Sequence, residues 1–320
     1  MAAVTGPGYG YPPPARPVRR RRWLVWAVGA WIVVLLAAVF WSVRNDAATV
    51  QEQRDIGHAV PELRRATGAL VTAAQDERWA IRLGELRVDD CSLNPAWTGR
   101  RVSRDLTVYV PEGDAQAALD GITAGLPDTY GASVVAARGG TQLSLFADAG
   151  GFIAIDAEAR SSDQVLTVRV DSGCRPPTGK VDESDPVAGP APELFAGTLA
   201  ALTATGDQRE PSAEGTPGPG GESGATPGSG SEPGAGGATG SKAGPRVRAV
   251  TCPTGGTAAT FEADAGTADP DDAPRGVPDG LTPVWSEPGG WAYRIGAESV
   301  VVTNQGGRLV VSVTTGCRAG

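Results

Sequence analysis

Four cysteines, Cys91, Cys174, Cys252 and Cys317, are the residues whose type and spacing say most about chemistry. None belongs to a CxxC or Cys/His pair of the kind that zinc needs, and the only histidine, His58, joins no such pattern. An even set in an oxidising setting reads as two disulfides. Nucleophilic catalysis finds little support. Asp171-Ser172-Gly173 has the look of a trypsin-like serine turn, but its base would have to be His58. The corresponding tripeptide late in the chain is Thr314-Thr315-Gly316, so both read as turns before a cysteine. Walker A, dinucleotide, G-x-S-x-G and H-E-x-x-H motifs are absent.

Three side-chain groups remain. Asp89, Asp90 and Asp171 fall near the first expected bridge and offer an acid pair, against the plainer reading of solvated strand ends. Asp264, Asp269, Asp271 and Asp272 lie in an oxygen-rich stretch of a type that holds calcium, but without the spaced D-x-D-x-D-G pattern it reads as an acidic loop. Trp97, Trp285, Trp291 and Tyr293 offer a stacking surface or, more simply, core packing. The expectation is therefore no catalytic, cofactor-binding or metal-binding residue.

Trp23 to Val43 must position everything that follows. Its 21 uncharged residues make a helix of about 31 Å, enough for a hydrocarbon core of roughly 30 Å. A signal peptide is the rival, but the run exceeds an ordinary h-region, and FWSVRNDAA offers no clean small-x-small cleavage site. Arg16 and Arg19 to Arg22 precede the span without an acid, so the N-terminus is expected in the cytoplasm and the remainder outside. The formal charge of −8 becomes −13 when the five arginines of residues 1–22 are set aside. An acidic exported part argues against nucleic acid as a partner.

Residues 44–60 read as a juxtamembrane step and PELRRATGALVTAAQDERWAI (61–81) as a helix, with Pro61 in its first turn. Leu63, Leu70, Ala74 and Ile81 share one face. With Ile56, Val60 and Thr67 they form a heptad seam over 56–81, suited to packing on the chain's own domain or to a homodimer. Alternating strands follow at ELRVDDC, RDLTVYV, SVVAA, TQLSLF, FIAID and VLTVRV, with a short helix at DAQAALDGITAGL.

The two halves of the chain match. VLTVRVDSGCR ends at Arg175 as LVVSVTTGCR ends at Arg318, ELRVDDC matches VRAVTC, and PELRRATGALVTAAQDER (61–78) matches PELFAGTLAALTATGDQR (192–209). The order of helix, cysteine strand and terminal strand with cysteine is shared, which predicts a tandem repeat over 61–175 and 192–318 joined by a linker at 176–191. The Gly/Pro/Ser-rich stretch 210–245, disordered by composition, becomes an insertion within the second unit. The repeat predicts bridges within each unit, Cys91–Cys174 and Cys252–Cys317. Each unit is expected to be α+β, with helices over a mainly antiparallel sheet of about five strands, and the second unit to lack most of its second helix because DAPRGVPDGL contains two prolines.

The Pro/Arg-rich tail 1–22, the Trp-rich span, PELRRATGAL, RVDDC and the endings VDSGCR and TTGCR together resemble single-pass membrane-anchored proteins of high-GC actinobacteria that carry no assigned activity. That resemblance implies location and lineage, and it brings no functional residue. The reading is a single-pass cell-membrane protein with its C-terminal domains extracytoplasmic, non-catalytic, binding or scaffolding another envelope component or protein. A transmembrane sensor signalling through the basic tail is the alternative, and a carboxylate-based envelope hydrolase stands third.

Overall fold

A computed structural model describes residues 22–45, 55–94, 97–177, 181–207, 244–268, 274 and 276–317. The Pro/Arg-rich tail and nearly all of the 210–245 insertion lie outside these residues. The chain forms two compact units, Met1–Thr49 and Val50–Gly320. In the first, α1 (Arg22–Asn45) contains the apolar stretch Trp23–Ser42, none of it buried.

The second unit begins with α2 (Ile56–Ala73). It starts five residues earlier than its sequence suggests, because Asp55 caps it by accepting the His58 N–H at 3.1 Å. It also ends earlier. The Asp76 carboxylate accepts the backbone and guanidinium N–H groups of Arg78, and the Trp79 indole donates to the Ala74 carbonyl at 2.7 Å. These local bonds outcompete a further helical turn, so Ile81 belongs to a strand rather than to the helix face. The heptad seam is also spent: Ile56, Val60, Leu63, Thr67, Leu70 and Ala74 are all buried in the unit's own core, which removes them from any homodimer contact.

The first sheet contains β1 (Ala80–Asn94), β2 (Trp97–Tyr109), β3 (Ser133–Ala137), β4 (Gln142–Asp148), β5 (Ala154–Arg160) and β6 (Val165–Asp171), antiparallel in the order β1-β2-β6-β5-β4-β3. The helix α3 (Ala115–Gly125) joins β2 to β3. The strands β4, β5 and β6 alternate strictly. Leu143, Leu145, Ile155, Leu166, Val168 and Val170 are buried under α2 and α3, while Asp156, Glu158, Thr167 and Arg169 are exposed on the opposite face.

The second sheet contains β7 (Arg246–Thr251), β8 (Thr257–Thr267), β9 (Trp285–Glu287), β10 (Gly290–Ile295), β11 (Glu298–Gln305) and β12 (Arg308–Thr314), preceded by α4 (Glu193–Asp207). Its order, β7-β8-β12-β11-β10-β9, repeats the first sheet strand for strand. Both sheets thus have six strands rather than five. The likeness reaches single hydrogen bonds. The Ser172 N–H donates to the Val102 carbonyl while its hydroxyl accepts the Val102 N–H, both at 2.9 Å. Thr315 does the same with Ala259, at 2.8 and 3.0 Å. Cys174 and Cys317 each follow two residues later, and the bridges are Cys91–Cys174 and Cys252–Cys317. The described residues between β8 and β9 contain no helix, and Trp291 and Tyr293 are wholly buried in the core that α4 covers.

The two halves differ in what covers the second face of each sheet. In the second sheet both faces are buried: Val300, Val302, Val311 and Val313 meet α4, while Thr260, Ser299, Val301, Ser312 and Thr314 are buried on the other side. That side receives β1, which touches β7, β8, β10, β11 and β12. The Leu83 N–H, on the β1 edge, donates to the Thr260 hydroxyl at 3.1 Å, and Thr260 bonds Thr314 at 2.7 Å. An edge strand is thereby capped by a hydroxyl-lined sheet face. Val250, Cys252 and Ala258 join α2 in one core, and Ala80 and Tyr109 meet Trp285, Ala292 and Val301 in another, with Tyr109 and Trp285 rings 5.0 Å apart.

Candidate functional site

Register equates residues across the repeat. Arg87 faces Ser103 as Arg248 faces Thr260, and Asp105 faces Arg169 as Glu262 faces Ser312. The ion pair Arg87–Asp105 therefore has Arg248–Glu262 as its counterpart. In the second half this pair is buried, with side chains 12% and 8% exposed, and Glu85 of the first half adds a third charge at 2.7 Å. In the first half the same pair lies on an open face, with Arg87 47% exposed.

That open face is a distinct chemical surface. Arg169 joins Asp105 at 2.9 Å. Burial pushes Asp105 up, but hydrogen bonds from Arg169 and Arg87 outweigh it and hold the carboxyl below its ordinary range. Asp156 shifts the other way: burial raises it, and Asp171 adds to the rise against Arg169. Glu262 resembles Asp105, since burial raises it and Arg248 more than offsets that. Towards the β3 edge the charges thin out to Asp148 at the end of β4. Val135 and Phe146 are 60% and 56% exposed, and β3 itself, SVVAA, carries no charge. Charged ladder and largely apolar edge thus form one continuous face.

A second feature lies at the cystine end of the first sheet. Arg175, buried at 3% exposure, bonds the Ser172 carbonyl at 2.7 Å and the Gly151 carbonyl at 2.6 Å, and it reaches Phe152. Its backbone forms a bridge with Arg100 at 2.8 Å in both directions, and Pro176 accepts the Ile56 N–H at 3.2 Å. One arginine thus ties the disulfide, the β1–β2 hairpin, the β4–β5 loop and the start of α2 together. Phe152 is 47% exposed and sits at φ 60°, left-handed backbone that a bulky residue seldom adopts.

The residues singled out by sequence fare as follows. Asp89 lies opposite Arg101 and Asp90 opposite Arg100, while Asp171 pairs with Arg101 at 3.5 Å and accepts the Gly173 N–H at 2.6 Å. Asp90 and Asp171 are thus each engaged by an arginine, Asp90 by Arg100 at 3.7 Å. Ser172 is buried at 1% exposure and engaged with backbone, as a turn residue. His58 is engaged by Asp55 at 2.9 Å. Asp264 sits in β8 paired with Arg308, while Asp269, Asp271 and Asp272 lie outside the described residues. Among the described residues no group of three or more His, Cys, Asp or Glu gathers as metal ligands would. Trp285, Trp291 and Tyr293 are core residues and do not join Trp97, which is 42% exposed near the β1–β2 turn. Arg104 and Asp185 had no sequence signal. Arg104 is 1% exposed on its side chain, bonds both oxygens of Asp185 at 2.9 and 2.8 Å, and also reaches the Gly84 and Ala249 carbonyls. Only the fold brings together a strand of one half, the connecting segment and a strand of the other.

An N-terminal apolar helix, a signal or an anchor, followed by two disulfides is the arrangement of extracytoplasmic domains. No family model matches the chain and no curated protein matches it. A solved structure of a DUF4853 family protein from Actinomyces odontolyticus, an actinobacterium, is similar at 16% identity and a TM-score of 0.30, over 46% of this chain and 82% of that chain.

Proposed function

We propose a non-catalytic, single-pass, membrane-anchored extracytoplasmic binding protein, with Trp23–Val43 as its span and the N-terminus in the cytoplasm. Its contact surface is the open face of the first sheet, and its partner is another component of the envelope. One observation carries this reading. The repeat uses this sheet face in its second copy to receive a strand edge, and the same face of the first copy is covered by none of the described residues. A face built to dock and left open, with Val135 and Phe146 exposed beside a charge ladder, has the mixture of apolar and polar groups that transient interfaces use.

The test is a photo-crosslinking amino acid placed at Phe146 or Val135 of the full chain in its own cells, with Ala200 on the exposed side of α4 as the control. Adducts of one discrete mass from positions 146 and 135, but not from 200, are expected. No adduct, or the same adducts from all three, contradicts the proposal.

A further inference from the structure

We propose that the cystine end of the first sheet rests on the bilayer that holds the chain, with Trp97 and Phe152 seated at its headgroup level. The inference rests on the anchor reading above and adds a second membrane contact to it. Its first ground is asymmetry within the repeat. The corresponding end of the second half is occupied: Cys252 packs in the α2 core, the Thr72 hydroxyl lies 3.2 Å from Cys317 Sγ, and Gly68 meets the Thr251 carbonyl. At the cystine end of the first half no described helix packs in this way, and two aromatic side chains, Trp97 and Phe152, are 42% and 47% exposed.

The second ground is Phe152 itself. Its left-handed backbone follows Gly150 and Gly151, also left-handed, and the buried guanidinium of Arg175 clasps the carbonyls of 151 and 152. The matching β10–β11 turn needs only Gly296 in that region and carries no aromatic. Strain of this kind persists where surrounding structure enforces it, and here it holds an apolar ring out to solvent.

The third ground says what covers these rings. Nine residues, 46–54, connect α1 to Asp55 in the sequence, so the second unit is tethered to the anchor through the start of α2. Ile56 is hydrogen-bonded to Pro176, which directly follows Arg175, and Arg175 bridges Arg100 three residues from Trp97. The aromatic end is therefore the end at which the chain arrives from the membrane. Tryptophan and phenylalanine with an arginine nearby (Arg101, 47% exposed) are the residue types that settle at a bilayer interface.

The full chain, labelled with 5-fluorotryptophan and reconstituted in phosphatidylcholine/phosphatidylglycerol nanodiscs, supplies the test through its fluorine spectrum with and without nitroxide-headgroup lipid. Trp97→Phe identifies the key resonance, and the buried Trp79, Trp285 and Trp291 are internal controls. Loss of the Trp97 signal together with those of Trp23 and Trp41, while the three buried tryptophans persist, is the expected result. If Trp23 and Trp41 are lost but Trp97 persists, the anchor stands and this contact is overturned. If none is lost, both fall.

Discussion

Asp185 holds its place because Arg104 cannot be left alone. A guanidinium only 1% exposed, bonded through both nitrogens to one carboxylate, becomes an uncompensated buried charge once that carboxylate is removed. Asp185→Ala should lower stability by about 3–5 kcal/mol. Thermal melting of the single variant and of Arg104→Met/Asp185→Ala checks this, and the double variant should lose less than the single one. Asp156 makes an opposite prediction. Its carboxyl is raised by burial and by Asp171, so the folded state disfavours its charge at neutral pH. That penalty is present above its folded pKa and disappears as pH falls towards the unfolded value. Asp156→Asn should therefore stabilise at pH 7 by about 0.5 kcal/mol after solvent screening, with the gain fading in acid. Asp105 and Glu262, held low by arginines, contribute stability that is lost as pH falls below the ordinary carboxylate range.

Between elements, the closest approach joins the two halves. A Cβ on Gly68 would lie 2.1 Å from the Thr251 carbonyl oxygen, so α2 and β7 meet backbone to backbone. Gly68→Ala should cost about 1–3 kcal/mol, read from a denaturant melt, by prising the second half away from α2. The strands of the first sheet were legible because one face is wet: VLTVRV and FIAID alternate as half-buried strands do. The end of α2 was not, since DERWAI continues an apolar period while the Asp76–Arg78 turn and the Trp79 indole decide the matter through hydrogen bonds. The second sheet's buried second face did leave a trace. RLVVSVT and ESVVVTNQ run nearly without alternation, as strands covered on both sides do, but which element covers them is a long-range fact. The open face was equally hidden, because Arg87 and Arg248 are the same residue in equivalent strands and differ only in what the fold lays over them.

As a whole, the exported unit is two copies of one cystine-closed module joined unequally. The first copy lays its β1 edge on the second face of the second sheet, while the second copy places Val250, Cys252 and Ala258 against α2 and, among the described residues, nothing on the second face of the first sheet. This inequality leaves the second face of the first sheet exposed among the described residues, and it is the claim on which the proposed function depends. Arginine-selective modification by phenylglyoxal, followed by peptide mass mapping on purified protein and on intact cells, tests it most directly. In the purified protein Arg87 and Arg169 should react while Arg248 is spared, and in cells Arg87 and Arg169 should become protected. Reaction of Arg248 as fast as Arg87, or unchanged reaction of Arg87 and Arg169 in cells, would contradict the account.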